Sequence, residues 1–385
     1  MVQKSSRKFG AFKYISFLLF IIIAACAPVS AAPTDALPPP NVTVIAAALP
    51  PTLIPTPAAT PTIDQLIFPY TIDGLCAHVY QSGDVHIREK LVENELYTTY
   101  YIDYPSDGLT ITGIMQIPAG DGLFPVIVMN HGYFNRADYY SGDGTDRAAE
   151  FLVKRGYITL SSDYRSWGAS DIGASLFYSG LTIDVINLLN AIPSISKADA
   201  SRVGMWGHSM GGGVTIKVLA IDGGRVAPRI ETRVKAAVLY STVSADQADV
   251  INRWGMGCFG DIATGEKLYG CNSSDIIPLD LPADLIEAYK YASYNDELLR
   301  QISPFYHLDL VTAPVQIHYG AEDGKIFSGT PPEWSKKLYI GLNDLNKDVE
   351  LFGYDNQTHS FKADEWFAFM ERSAQFFDKY VKNMK

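Results

Sequence analysis

The sequence predicts an α/β domain whose sheet is mostly parallel and eight-stranded, with helices on both faces. Apolar runs of strand length recur along the chain, and helical patterns lie between the later ones. Such alternation is typical of a parallel sheet covered on both sides, and the first strands should be antiparallel at one edge. The predicted strands span residues 97–104, 110–117, 125–130, 157–162, 202–206, 236–240, 314–319 and 349–354. The predicted helices span residues 146–155, 181–192, 210–221, 283–300, 332–340 and 364–380.

Residues 207–211 read Gly-His-Ser-Met-Gly, a G-x-S-x-G motif between the predicted strand 202–206 and the helix that begins at Met210. This is the strand, sharp turn and helix on which a serine nucleophile is presented. Such a turn strains the backbone, and the two glycines leave room where strand and helix approach closely. The motif therefore predicts Ser209 as a nucleophile.

A serine hydroxyl needs a base and an orienting carboxylate. In this strand-turn-helix context the acid and then the histidine follow the serine along the chain, which leaves His307, His318 and His359 as bases. His318 lies inside an apolar run and His307 precedes that run, whereas His359 follows the strand 349–354. The loops at the carboxyl ends of parallel strands are where ligand chemistry collects, so His359 is the predicted base.

The acid is predicted at the end of the strand that contains His318, where the chain reads Gly-Ala-Glu-Asp-Gly over 320–324. Asp323 is the first choice and Glu322 the second, because neighbouring side chains of an extended segment point in opposite directions. A surface carboxylate in a turn is the alternative for either residue.

Two backbone N–H groups should face the oxygen anion of the tetrahedral intermediate. The amide of Met210 is one predicted donor. Tyr133, in the loop after the strand 125–130, is the other, through its amide or its phenol. The alternative is that Tyr133 only packs over the site.

With these residues in place, the chain resembles the α/β-hydrolase superfamily from about Tyr97 to its end, above all the catalytic domain of prolyl oligopeptidase-type serine peptidases and dienelactone-hydrolase-like esterases. The motif at 207–213 is also similar to that of cutinase-like polyester hydrolases. The matching segments are 131–133, 162–165, 202–212, 303–304 with 313–315, 320–323 and 359–361. The resemblance implies the α/β-hydrolase fold and assigns nucleophile, acid and base to Ser209, Asp323 and His359.

The peptidases of this family usually carry a large N-terminal β-propeller that screens substrates. The stretch 63–97 is too short to form one, which favours an esterase over a peptidase. Asp163, Arg165 and Asp184 are interpreted as structural.

The first 25 residues predict a bacterial lipoprotein signal peptide. Four basic residues precede an apolar stretch over 14–25 that is short for a membrane span, and Ile-Ala-Ala-Cys over 23–26 resembles a lipobox. Cys26 is thus the expected lipid attachment site, and the protein is expected to be an extracytoplasmic, cell-surface or periplasm-facing lipoprotein. The alternative is a plain signal peptide or an uncleaved anchor. Residues 26–64, rich in Pro, Ala and Thr, are interpreted as a tether, and residues 65–385 as the catalytic domain.

The formal net charge is −11, and it becomes more negative without the four basic residues of the signal peptide. An acidic surface argues against nucleic acid as a partner, and the membrane link should be covalent. An oxidising compartment permits disulfides. Cys258 and Cys271 are close in sequence and flanked by glycines, so we expect them to pair; the alternatives use Cys76.

A long insertion at about 242–312 is interpreted as a cap over the substrate, because long insertions in compact domains are usually functional. Its aromatic residues favour an apolar or aromatic substrate group, or alternatively form only the cap's own core. No metal or nucleotide motif is present, so no cofactor is implied.

The sequence as a whole therefore predicts a serine hydrolase that cleaves esters of small or medium molecules. The alternatives are a peptidase acting on short peptides, an acyltransferase, and a surface binding protein on an inactive hydrolase scaffold.

Overall fold

The computed structural model describes residues 60–223, 233–260 and 271–383. The strands are β1 (His86–Glu93), β2 (Tyr97–Ser106), β3 (Leu109–Pro118), β4 (Phe124–Asn130), β5 (Ile158–Ser162), β6 (Ala198–His208), β7 (Val234–Tyr240), β8 (Gly257–Gly260), β9 (Asn272–Pro278), β10 (Val315–Gly320) and β11 (Val349–Tyr354). The α-helices are α1 (Ile63–Ile67), α2 (Ile72–Ala77), α3 (Asp146–Val153), α4 (Ser179–Ala191), α5 (Met210–Asp222), α6 (Gln247–Trp254), α7 (Ala283–Ala292), α8 (Asp296–Ile302), α9 (Pro332–Asp344) and α10 (Ala363–Phe377).

The main sheet has the order β1-β2-β3-β5-β4-β6-β7-β10-β11. Strands β4 to β7, β10 and β11 pair in parallel, and β1, β2 and β3 are antiparallel at one edge. The mostly parallel sheet is confirmed, but it has nine strands rather than the predicted eight. The carboxyl ends of β4, β6, β7, β10 and β11 share one edge of the sheet, which is where the site lies.

The ninth strand, β1, has no buried face and for that reason escapes prediction. All eight of its residues are exposed. Backbone pairing with β2 holds it, together with Asp103, which accepts hydrogen bonds from Nδ1 of His86 at 3.1 Å and from the Arg88 guanidinium. Neither interaction leaves an apolar pattern in the sequence.

Helices cover both faces of the sheet, as predicted. Apolar residues of α4, α5 and α9 pack on one face, and those of α3 and α10 pack on the other. The strands between the two layers are buried on both faces, which explains their continuous apolar runs.

The segment between β7 and β10 forms a separate layer made of α6, the two-stranded sheet of β8 and β9, α7 and α8. Tyr289 and Phe259 of this layer belong to an apolar core that also includes Ile67 of α1 and Phe177 of the segment before α4. Two other aromatic side chains of the cap, Tyr291 and Tyr294, are 53% and 71% exposed. The predicted helix 283–300 is two helices, because the side chain of Asn295 accepts the Leu298 N–H and starts α8.

The predicted signal peptide, Cys26 and most of the predicted tether lie outside the described residues. Helix α1 begins within the last residues of that tether, where Thr62 and Gln65 form a capping box. Among the helices that the structure describes, none combines the length and the apolar character that a membrane crossing requires.

Candidate active site

Ser209 occupies the sharp turn between β6 and α5. Its backbone angles are φ 54° and ψ −121°, a conformation that non-glycine residues adopt only under strain. A Cβ at Gly207 would overlap the Thr215 hydroxyl, and one at Gly211 would overlap the carbonyl of Asn130. Both glycines of the motif are therefore required for the turn to form.

Asp323 and His359 lie side by side at the ends of β10 and β11. Oδ2 of Asp323 is 2.9 Å from Nδ1 of His359, and Asp323 is only 5% exposed. Burial favours a higher pKa for Asp323, but the hydrogen bond and charge of His359, with N–H and O–H donors from Gly324 and Thr330, outweigh it and hold the pKa below its ordinary value. Asp323 is thus a buried carboxylate that orients His359. Glu322 instead forms an ion pair with Lys325 at the surface.

His208 connects the base to the nucleophile turn. Its Nε2 donates to the carbonyl oxygen of His359 at 3.2 Å, and the two rings lie 4.8 Å apart. The His208 ring also stacks on Tyr240 at 4.5 Å. Burial, followed by the charge of His359, lowers the pKa of His208 to about 3, so this ring is neutral at pH 7.

Ser209, Asp323 and His359 thus occupy the expected chain order on three strand ends at one edge of the sheet. Within the described part of the chain, no hydrogen bond joins Oγ of Ser209 to Nε2 of His359. In sites without substrate this contact is often long and shortens when substrate binds.

The loop after β4 lies against the nucleophile. A Cβ added at Gly132 would come within 3.1 Å of the Ser209 Cβ, which leaves no side-chain volume between them. Met210 is the first residue of α5, where a backbone N–H has no acceptor within the helix. Tyr133 follows Gly132, and its ring meets Trp167 edge-on at 6.4 Å. Met210 follows Ser209 directly, and Tyr133 follows a glycine that lies against Ser209. The roles of both residues as oxyanion donors, and the donating group of Tyr133, stay predictions.

Behind this loop is the buried carboxylate of Asp163. It accepts hydrogen bonds from Tyr139 Oη at 2.8 Å and from Thr112 Oγ1 at 2.6 Å, and the backbone carbonyl of Asp163 lies 3.1 Å from Nε2 of His131. Asp163 thus ties the loop that carries the predicted oxyanion donor to β3 and β5.

Arg165 and Asp184 form a second buried polar pair. Nη2 of Arg165 donates to Oδ1 of Asp184 at 2.7 Å, and Nε donates to Oδ2 at 3.0 Å. The contact is bidentate and anchors the segment after β5 to α4.

Three residues that contact Asp323 or the loop after it carry no signal in the sequence. Thr330 donates its N–H to Asp323 and also lies 3.3 Å from Nδ1 of His359. Arg253 and Trp254, at the end of α6, donate to backbone carbonyls of the loop between Asp323 and Thr330. No spacing rule marks these positions, although the loop follows the predicted acid directly in the chain.

The cap is tied to the helix that carries the nucleophile. Asp275 of β9 accepts the N–H of Phe177 at 2.6 Å, and Lys217 of α5 donates to the carbonyl of the same Phe177 at 2.7 Å. Cys258 and Cys271 form a disulfide within the cap, with Cα atoms 5.1 Å apart, which is the expected pairing. Cys76 is a half-buried free thiol, and burial raises its pKa to about 11.

Across residues 60–223, 233–260 and 271–383, no cluster of three or more His, Cys, Asp or Glu side chains is placed to hold a metal ion.

A family model described as acetyl xylan esterase (AXE1) matches residues 80–230. The matched region includes Gly132 and Ser209 and ends before Asp323 and His359.

Among curated proteins, esterase FrsA of Shigella boydii is 26% identical over 192 residues, which cover 47% of this chain and 45% of that protein. An uncharacterised 31.7 kDa protein of Escherichia coli is 28% identical over 118 residues, 30% of this chain and 39% of that protein. The chain thus spans less than half the length of these curated relatives.

Solved structures share the fold. Acylaminoacyl peptidase of Pyrococcus horikoshii superposes with a TM-score of 0.53 at 17% identity, over 76% of this chain and 43% of the peptidase. Acetyl xylan esterase 1 of Thermoanaerobacterium superposes with a TM-score of 0.50 at 14% identity, over 82% of this chain and 93% of the esterase. By its sheet order and its nucleophile turn, the chain has the α/β-hydrolase fold, and its similarities are to esterases and peptidases.

Proposed function

We propose that the protein is a serine hydrolase that cleaves carboxylic esters of small or medium molecules. The observation that carries the proposal is the buried Asp323 carboxylate on Nδ1 of His359, beside a serine held at positive φ. A carboxylate in this position stabilises the imidazolium that forms when the histidine accepts a proton. An ordinary surface turn requires neither a buried carboxylate on a histidine nor a serine in a strained conformation.

The reaction follows from these positions. Oγ of Ser209 attacks the ester carbonyl carbon while its proton passes to Nε2 of His359. The resulting oxyanion is stabilised by the amide of Met210 and by Tyr133. His359 then protonates the leaving alcohol as the C–O bond breaks, and water attacks the acyl carbon in the same way to release the acid from Ser209.

Two considerations favour esters over amides. An alkoxide is a far better leaving group than an amide anion, so ester cleavage depends less on protonation by His359 than amide cleavage does. Peptide cleavage also needs the chain held on both sides of the bond. The acetyl xylan esterase model and esterase FrsA point to ester substrates as well. Acetyl and other short acyl esters are therefore the first substrates to test.

The test compares kcat/KM for matched esters and amides that carry the same acyl group. We expect acetyl and butyryl esters to be cleaved much faster than aminoacyl and prolyl amides. Equal or faster amide cleavage would make the protein a peptidase of the prolyl oligopeptidase type. Ester formation with an added alcohol in preference to hydrolysis would make it an acyltransferase.

We also propose that the mature protein is anchored to a membrane through a lipidated Cys26, on the evidence of the lipobox-like residues 23–26 and the tether after them. Cys26→Ser should then yield uncleaved precursor or unlipidated protein. Mass spectrometry of the mature N-terminus tests this, and an unmodified N-terminus at another residue would contradict it.

A further inference from the structure

Arg136 lies in the loop that carries the predicted oxyanion donor. This residue is four positions after Gly132, and its guanidinium carbon lies 4.7 Å from the centre of the Trp167 ring. The rings of His131 and Tyr133 also lie near that ring, at 6.0 Å and 6.4 Å, and its Nε1 donates to the carbonyl of Phe134 at 3.1 Å. The Arg136 guanidinium therefore lies near the same Trp167 ring as His131 and Tyr133, which directly follow β4.

The charge of Arg136 has no counter-ion in the described structure. Its Nε and Nη1 atoms are buried, and neither has a hydrogen-bond acceptor. Burial lowers the pKa of Arg136 to about 10, the nearby Tyr133 phenol opposes that effect only in part, and the side chain remains a cation at pH 7. The side chain as a whole is half-buried, so its third guanidinium nitrogen is not shut off in this way. Two buried N–H donors without acceptors on a cation are costly, and they favour an anionic ligand.

Other arginines of the described residues have partners or water for their guanidinium groups. Arg165 is buried against Asp184, and Arg253, whose Nε is also buried without an acceptor, donates Nη2 to two backbone carbonyls. Arg147 lies over the Trp366 ring at 3.6 Å, as Arg136 lies over Trp167, but Arg147 is exposed and keeps its water. Stacking on tryptophan therefore does not by itself require Arg136 to give up water.

We propose that Arg136 binds a carboxylate, or a comparable planar oxyanion, carried by the substrate in its acyl or its alcohol part. The inference rests on the proposed hydrolase function and names its substrate class. A guanidinium presents parallel N–H donors that match the two oxygens of a carboxylate. Arg136 contacts the same Trp167 ring as Tyr133, and Tyr133 follows Gly132, whose backbone lies against Ser209, so we infer that this contact is made near the reacting carbonyl.

Trp167 and Tyr133 complete the recognition site. The Trp167 ring lies against the guanidinium at a cation–π distance and supports it. The expectation that cap aromatics select an apolar group stays a prediction, because Tyr289 and Phe259 lie in a core whereas Tyr291 and Tyr294 are exposed. Arg136 is the cationic residue of the loop after β4, and a cation there selects an anion.

The kinetic test uses two substrate pairs. Mono-4-nitrophenyl adipate is compared with 4-nitrophenyl hexanoate for an anion in the acyl part, and 5-butyryloxy-2-nitrobenzoate with 4-nitrophenyl butyrate for an anion in the leaving group. In the Arg136→Met protein, the ratio of kcat/KM between the carboxylated and the neutral member should fall about tenfold or more for one pair. The ratio for Arg136→Lys should lie between those of wild type and Arg136→Met. Arg147→Met, the matched control, should keep the wild-type ratio.

A binding measurement separates this inference from the proposed function. Calorimetric titration should show that the Ser209→Ala protein binds monomethyl adipate more tightly than dimethyl adipate. Adding Arg136→Met to the Ser209→Ala protein should weaken the binding of monomethyl adipate. Unchanged ratios for both pairs in Arg136→Met would overturn the anion site even if neutral esters are cleaved, and equal binding of the two adipates would overturn it for the acyl part. If monomethyl adipate binds but no ester is hydrolysed, the result would instead count against the proposed hydrolase function. Arg136→Met should fold, because it removes an uncompensated charge and keeps the apolar contact with Trp167.

Discussion

Thr330 holds both oxygens of Asp323. Its hydroxyl lies 2.8 Å from Oδ2 and its backbone N–H donates to Oδ1 at 3.0 Å, while Oδ2 also faces Nδ1 of His359. The hydroxyl is also 2.9 Å from the carbonyl of Ser241, at the end of β7. Thr330 is therefore a positioning residue, which fixes the acid relative to the base and to the central sheet.

Replacing Thr330 by valine should lower kcat/KM about tenfold, because the shape is kept while a hydrogen bond to a buried carboxylate is lost. Thr330→Ser restores the hydroxyl and should recover most of the activity. Steady-state kinetics on one neutral ester checks both variants. Full activity in the valine variant would mean that the backbone N–H alone positions Asp323.

His208 should make the stability of the protein depend on pH. Its pKa is about 3 in the folded protein, against about 6.5 in an unfolded chain, so folding favours the neutral ring. The stabilisation is fully present above about pH 6.5 and is lost as the pH falls from there toward 3. Between pH 7.5 and 5 this residue should cost about 2 kcal/mol of unfolding free energy.

The measurement is urea unfolding at both pH values in wild type and His208→Asn. His131 and His318 are also buried with lowered pKa values, so the difference between the two proteins, and not the total loss, is the quantity to compare. An equal loss in wild type and variant would show that His208 does not titrate in this range.

The buried pair of Arg165 and Asp184 should matter for stability. Asp184→Asn leaves a buried guanidinium without its counter-ion and should cost about 3–5 kcal/mol of unfolding free energy. Asp199 pairs with Arg202 in a more exposed position, and Asp199→Asn, the control, should cost less than about 1 kcal/mol. Similar losses in the two variants would contradict the structural assignment of Asp184.

The disulfide between Cys258 and Cys271 closes a loop with a sequence separation of 13 residues. Chain entropy attributes roughly 3 kcal/mol to a loop of this size. The double variant Cys258→Ser, Cys271→Ser should therefore unfold at lower urea concentration than wild type. A reducing agent should destabilise wild type and leave the double variant unchanged, and a wild type indifferent to reduction would contradict the pairing.

The central strands could be predicted because they are buried on both faces and consist of continuous apolar runs. Strand β1 could not, since exposed residues held by backbone bonds carry no such signal. The break between α7 and α8 does have a signal, the Asn295 cap, but the helical periodicity on either side of it hides the break.

Ser209 is marked by the glycines that its turn requires, and Asp323 and His359 by chain order and strand ends. Thr330 is a loop threonine whose role depends on a fold that brings it back to Asp323. Arg136 stands out only once burial shows that its charge has no partner in the described structure. Sequence patterns thus identify residues marked by a constrained turn, by chain order or by a strand end, and miss those defined by contacts alone.

The central claim is that Ser209 is the nucleophile, and covalent labelling tests it most directly. A fluorophosphonate should modify wild type stoichiometrically, and peptide mapping by mass spectrometry should place the adduct on Ser209. Ser209→Ala should stay folded, take up no label and lose ester hydrolysis, because triad members act as a unit. Labelling or hydrolysis that persists in folded Ser209→Ala protein, or an adduct on any other residue, would contradict the account.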